Sequence, residues 1–358
     1  MKIKTLMKAG LVAAGLISAT IMSAQAGTVL RYVEGSPNRG AKSEALMVFA
    51  KEVSEATGGE LEIEIHWGGA LLKWAAILPG VSIGTADMGT LVGPYAPKEL
   101  MAMGIGDLPI GEAGDPWVGS RAMHELMTTN SDMIKAFDKQ NVIYLGAIHT
   151  TAAQLMCNDD SGVSTLADLK GKKVRSAGIY AHALSDLGAT PVSVSFGEIY
   201  QALDSGLLDC SLVYLYTLNP YKFWEVIDKV IKIDWGQVAG IAASINKDVW
   251  SGLTEEQRSV LREAGSKMVD TQAQKLIAQT NETIEAIEQN KYGRPVKLVQ
   301  ASAEDKAALD NASEKYIKDW MDKFSAEGYD AQAVMDQYVA LLNKYAKERD
   351  DKGYPWDR

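Results

Sequence analysis

Histidine and cysteine are scarce here, with four and two among 358 residues. His66, His124, His149 and His182 are scattered and show no metal-ligand spacing. No metal and no other cofactor is expected. There is no G-x-S-x-G, no H-E-x-x-H and no phosphate-cradling glycine loop. The glycine pair in "TGGELEI" reads as a helix stop, and no nucleophile stands beside a base, so catalysis is not expected. Beyond residue 26 no apolar run approaches the roughly 20 residues a membrane span needs. Repeats and low-complexity segments are also missing. Basic charge is in deficit, with 36 Lys and Arg against 46 Asp and Glu, a formal net charge of −10. That balance argues against nucleic acid or anionic lipid as partners. It leaves room for an anionic small ligand held by a local arginine.

The N-terminus has its own character. Lys2, Lys4 and Lys8 precede an apolar run from Ala9 to Met22, and Ala24-Gln25-Ala26 follows as a small-x-small site. This is the pattern of a secretory signal peptide, with cleavage expected after Ala26 and an exported, periplasmic product. Losing three lysines and no acids would take the formal charge to −13. Export permits a disulfide between Cys157 and Cys210. Their apolar, strand-like settings favour two buried thiols, with the bridge as the alternative.

The remaining length is comfortable for two domains. Residues 28–35 read as a strand, and 41–59 as an amphipathic helix with Leu46, Phe49 and Val53 on one face. Residues 60–69 read as a second strand, and 71–92 as helix, turn and short strand. This β-α-β-α-β order predicts a mainly parallel open sheet, with ligands at the carboxyl ends of its strands. The pattern restarts after residue 140. "NVIYLGAIHTTAAQLMCN" (141–158) reads as one long apolar strand. A short helix capped by Thr165 and Asp168 follows, then the strand "KKVRSAG", a helix over 179–188 and a strand over 190–195. A Ser195–Glu198 capping box opens the next helix, and residues 210–218 read as a strand. Residues 236–250 are strand-like and late enough to return to the first lobe. From Thr254, with Gln257 completing a capping box, to about Asn290 the chain predicts one long helix crossing both lobes, with Gly265 its interior glycine. Helices and a frayed charged end complete it. The fold class expected is α/β: two lobes, each a mainly parallel sheet with flanking helices, joined by a hinge and spanned by the long helix. Lobe I is placed at 27–149 with 239–278, lobe II at 150–238 with 279–340, and a tail at 341–358.

Several motifs are familiar in combination. They are "FAKEVSEATGGELEIEIHWGGALL" and "ILPGVSIGTADMG" in the first half, then D-L-K-G-x-K-x-R, L-G-A-x-P-V, E-x-Y-x-A-L-x-x-G and F-W-E-V in order. On these residues the chain resembles the periplasmic solute-binding proteins of tripartite ATP-independent periplasmic (TRAP) transporters, the C4-dicarboxylate type. The resemblance covers nearly the whole chain after residue 26. It implies two lobes closing over one small organic acid, and delivery to a small and a large membrane subunit for uptake driven by an ion gradient. It also implies that Arg175, the arginine of K-x-R, makes a paired salt bridge to the ligand carboxylate. A guanidinium presents parallel donors suited to two carboxylate oxygens.

The same resemblance marks other positions. A second contact, often asparagine in relatives, falls at Val213, with Tyr214 and Tyr216 as substitutes. Glu34 stands where relatives often carry histidine, and Arg39 lies close by. Trp74 replaces a polar residue at the G-x-L motif and could wall a pocket. Tyr95 follows a strand end, and Trp235 lies near the lobe crossing. Each has a plain alternative as a core or surface residue. A dicarboxylate is the family default, whereas Glu34 and the missing asparagine point to a hydroxy-, amino- or sulfonate-bearing acid. The competing functions are an enzyme, an ABC-transporter binding protein and a periplasmic sensor feeding a signalling receptor. The last would share the fold.

Overall fold

A computed structural model describes residues 27–358; the expected leader, residues 1–26, lies outside the described residues. The first half runs β1 (Thr28–Val33), α1 (Gly40–Ala56), β2 (Leu61–His66), α2 (Trp74–Ser82) and β3 (Met88–Val92), in the anticipated order. Helix α1 turns Leu46, Phe49 and Val53 into the core. It ends where Gly58 and Gly59 take positive φ, a conformation side chains with a Cβ resist. Next come α3 (Pro116–Thr129), α4 (Ser131–Asp138) and β4 (Val142–Ala147). The Asp115 carboxylate opens α3 by accepting from the amides of Trp117 and Val118.

The stretch 141–158 is two strands and not one. β4 belongs to the first sheet and β5 (Ala153–Cys157) to the second, and residues 148–152 carry the chain between lobes. Both strands are apolar because both are packed on two faces, so alternation shows no break. The second lobe continues with β6 (Lys173–Arg175), α5 (Gly178–Asp186), β7 (Thr190–Val192), α6 (Ile199–Asp204), β8 (Cys210–Val213) and β9 (Lys229–Trp235). The chain returns over 236–240 to β10 (Ile241–Asn246) and α7 (Lys247–Gly252). It then runs through α8 (Glu255–Glu288), β11 (Lys297–Gln300), α9 (Ala303–Ala326) and α10 (Ala331–Lys352).

The sheets are ordered β2-β1-β3-β10-β4 and β11-β9-β5-β8-β6-β7. Each is parallel except for one reversed strand, β10 in the first and β5 in the second. Each reversed strand follows a crossing between lobes. Cys157 and Cys210 face each other across the antiparallel β5–β8 pair and are joined as a disulfide. That corrects the expectation of two thiols. The pairing depends on a register between strands 53 residues apart, which local sequence does not carry.

Helix α8 starts on the Thr254–Gln257 capping box and runs 34 residues, touching α1, α3 and β4 of the first lobe and the turn Leu215–Thr217 of the second. Gly265 lets it lie directly on β4: a Cβ there would come within 2.3 Å of the Leu145 carbonyl oxygen. The two crossings are tied to each other. The Thr150 amide donates to the Val238 carbonyl at 3.2 Å, and the Val238 amide donates to Thr150 Oγ1 at 2.9 Å.

The C-terminal region divides differently from the expectation of lobe II to 340 and a tail from 341. Helix α9 is a second strap. Leu309 packs in the lobe II core, while Trp320 and Phe324 pack in lobe I, with Trp320 Nε1 donating to the Met101 carbonyl. Helix α10 passes residue 340 unbroken and buries Val334, Tyr338 and Leu342 in the lobe I core. The charged end is docked and not frayed. Arg349 pairs with Asp115 at 3.1 Å, and the Tyr354 hydroxyl donates to Asp115 at 2.7 Å. Charged residues look solvated in sequence, but here their partners stand more than 230 residues earlier.

Candidate ligand-binding cleft

The carboxyl ends of β1, β3, β6 and β8 point into one cleft between the lobes, whose empty space of about 1050 Å³ includes the solvent at its open mouth. The loops after these strands deliver the lining. β6 ends on Arg175, and the small residues Ser176, Ala177 and Gly178 leave the space beyond its guanidinium open. Arg175 is 9% exposed. Its Nε donates to the Val194 carbonyl at 3.2 Å and Nη1 to the Leu212 carbonyl at 3.5 Å, while Phe196 lies under the fork at 5.6 Å. Among the described residues no acid pairs with it. Burial pulls the guanidinium below its ordinary pKa, and the Tyr214 and Tyr95 phenols oppose that shift. The arginine stays charged nonetheless, since an arginine side chain is effectively never deprotonated. It is a desolvated cation held by neutral groups.

Rings form most of the remaining wall. Trp74 stacks on Tyr95 with centroids 5.3 Å apart, and Tyr214 stacks on Tyr216 at 5.5 Å. Burial pushes the Tyr214 phenol up to about 12, so it stays a neutral donor. His149, also in the lining, is held down to about 3 by burial and is neutral too. At the mouth Arg39 lies over Tyr221 at 5.1 Å and donates to the Pro220 carbonyl at 3.4 Å, joining the lobes. Tyr180 of α5 joins them at the back. Its hydroxyl donates to the Asp107 carbonyl at 2.6 Å, and the Gln237 amide donates to it at 2.8 Å.

Residues 33–323 match the family described as bacterial extracellular solute-binding protein, family 7, known as DctP. The chain belongs to this family. A curated relative, a solute-binding protein of Chromohalobacter salexigens, is 24% identical over 315 residues, covering 86% of this chain and 89% of the relative. A TRAP periplasmic solute-binding protein from Bordetella bronchiseptica, solved with (R)- and (S)-mandelate, superposes with a TM-score of 0.77 at 20% identity, covering 89% of this chain and 99% of that one. A marine-metagenome TRAP protein specific for pyroglutamate gives 0.73 at 25% identity, covering 87% and 98%. No described helix is long and apolar enough to cross a membrane.

In this DctP-family cleft, Arg175, Arg39, Trp74, Tyr95, Tyr214 and Tyr216 come together as lining residues. Three expected positions do not. Val213 points into the lobe II core beside Met156 and Phe223, because side chains alternate along a strand and Leu212 and Tyr214 take the cleft face. Trp235 is buried behind the cleft, donating from Nε1 to Ser313 Oγ at 3.2 Å with Tyr180 against its ring at 4.8 Å. Glu34 is fully buried and does not line the cleft. It accepts from the Ser36 amide and from Lys42 Nζ, each at 2.7 Å.

Lys42 lines the cleft and escaped sequence reading, as did Phe196 and Tyr221. In sequence Lys42 is one more polar residue near the start of an amphipathic helix. Only its pairing with an acid eight residues earlier distinguishes it.

Proposed function

We propose that this chain is the extracytoplasmic receptor of a TRAP transporter, capturing a small organic acid between its lobes and handing it to a small and a large membrane subunit. Arg175 holds the ligand carboxylate. The observation that carries this is a buried guanidinium with no acid beside it among the described residues, at the carboxyl end of β6, facing the cleft. A desolvated cation of that kind wants an anion, and its fork suits a carboxylate. Val194 and Leu212 carbonyls orient it before the ligand arrives. The ligand leaves unchanged, a reading supported by membership of a family of solute-binding proteins. Export follows cleavage after Ala26, giving a mature start at Gly27 that mass spectrometry of the secreted protein would read.

The test is a thermal-shift screen of small acids followed by calorimetry on the best binder, with wild type and Arg175→Ala. Removing one partner of a buried charged pair costs about 2–5 kcal/mol, or roughly 30-fold to several thousand-fold in affinity. A folded Arg175→Ala protein that binds within about threefold of wild type, under 1 kcal/mol, would overturn the proposal.

A further inference from the structure

Two cations reach the interior of the cleft, and they are not equivalent. Arg175 has no acid beside it among the described residues. Lys42 is already paired: Nζ donates to Glu34 Oε1 and to Ser36 Oγ, each at 2.7 Å, and lies 4.9 Å from the Trp74 ring. Contacts run in the order Lys42, Trp74 and Tyr95 along the lobe I wall and then across to Arg175 of lobe II. The stacked rings therefore separate the two cations. Arg39, a third cation, is exposed at the mouth and engaged with Pro220 and Tyr221.

We infer that Lys42, clamped by Glu34, forms a subsite for an uncharged acceptor at the other end of the ring stack from Arg175, and that the receptor thereby selects flat, largely apolar monocarboxylates over dicarboxylates. This rests on Arg175 as the carboxylate site. Three physical points support it. The interior holds two positive charges and one buried negative one, which leaves a single uncompensated positive charge for the ligand to match. An ammonium has three N–H donors, and Glu34 and Ser36 already occupy two of those of Lys42. The third suits a carbonyl, hydroxyl or ring acceptor, whereas a second carboxylate would approach the buried Glu34 carboxylate, and like charges repel strongly where water is excluded. Between the two ends the ligand meets the aromatic side chains of Trp74, Tyr95, Tyr214 and Phe196, which reward a flat apolar body and give hydroxyls of an aliphatic chain few partners.

The experiment is calorimetry on the full mature chain with matched probes: 4-hydroxybenzoate against terephthalate, and succinamate against succinate. Within each pair the monocarboxylate should bind at least about tenfold tighter, 1.4 kcal/mol, and 4-hydroxybenzoate should bind tighter than succinamate. Glu34→Gln removes the compensating charge and should narrow or invert the preference within each pair, with circular dichroism checking the fold. The wild-type comparison stands even if that variant does not fold. Dicarboxylates binding tighter than their partners, in a manner lost in Arg175→Ala, would overturn the inference and leave Arg175 as the acid site. Binding that is indifferent to Arg175→Ala, or no binding by any probe, would overturn the acid site and the inference with it.

Discussion

Gln272, midway along α8, holds both backbone groups of His149 on the lobe crossing. Its Oε1 accepts from the His149 amide at 2.9 Å, and its Nε2 donates to the His149 carbonyl at 2.8 Å. Both residues are buried. A side-chain amide carries both a donor and an acceptor, so it can replace a strand partner for the N–H and C=O of one residue. The long helix thus fastens the β4–β5 crossing at a point where neither sheet can pair it.

Gln272→Leu keeps a similar volume but orphans the amide and the carbonyl of His149. Each buried, unsatisfied group costs about 1–3 kcal/mol. Urea unfolding should show a clear loss of stability. A change under about 0.5 kcal/mol, the level of an ordinary surface substitution, would mean that the crossing is held by something else.

Gly265 sets two effects against each other. Alanine is favoured over glycine inside a helix by about 1 kcal/mol. Here the added methyl would lie 2.3 Å from the Leu145 carbonyl oxygen, a backbone atom that cannot swing aside. Overpacking of this kind costs about 1–3 kcal/mol or more. Gly265→Ala should therefore destabilise the protein in denaturant unfolding, and a stabilised variant would show that α8 is free to lift from β4.

Local signals were legible and long-range ones were not. The capping boxes at Thr165–Asp168, Ser195–Glu198 and Thr254–Gln257 were read from sequence because both partners lie three residues apart, and all three are present. Arg175 was legible because its strand, its small neighbours and its motif lie together. Lys42 was not, since its meaning comes from Glu34 on another element. Val213 was misplaced by one residue, which on a strand moves a side chain to the opposite face. The split between β4 and β5 was hidden because two buried apolar strands in different sheets leave the same pattern as one. Helices α9 and α10 were read as helices, but nothing local says that Trp320 crosses back to Met101 or that Tyr354 returns to Asp115.

Asp107 gives a pH-dependent prediction. It is buried beside the second crossing, with Oδ1 accepting from the Ala239 and Gly240 amides at 3.0 and 2.8 Å. Burial raises its carboxyl from 3.8 to about 7, and those two amides pull the other way. Between these values the folded state keeps a proton that the unfolded state has lost, so Asp107 makes stability fall as pH rises from about 4 to about 7. His149, held down to about 3, and His124, held down to about 4, act in the opposite sense and lose stability as pH drops below the ordinary histidine range. The raw profile mixes all three, so the readout is the difference between wild type and Asp107→Asn. That difference should shift against wild type from pH 4 to 7 and flatten above. A difference independent of pH would show that Asp107 is ionised throughout.

The Arg175 fork can be tested without removing its charge. Arg175→Lys keeps a cation at the end of β6 but replaces a planar, multi-donor group by a compact ammonium. In the protein the guanidinium spends donors on the Val194 and Leu212 carbonyls, which aim the rest of the fork into the cleft. A lysine that reaches those carbonyls has little left for two carboxylate oxygens, and one that turns to the ligand leaves the carbonyls without a partner. It also gives up the guanidinium's place over the Phe196 ring. The expected result is an affinity between those of wild type and Arg175→Ala, weakened about tenfold or more relative to wild type. Because Arg175 is buried at the end of β6, added salt should change the wild-type affinity little. Full recovery of affinity by lysine, together with a steep salt dependence, would mean that only positive charge matters and that the ligand is held near the open mouth and away from the end of β6.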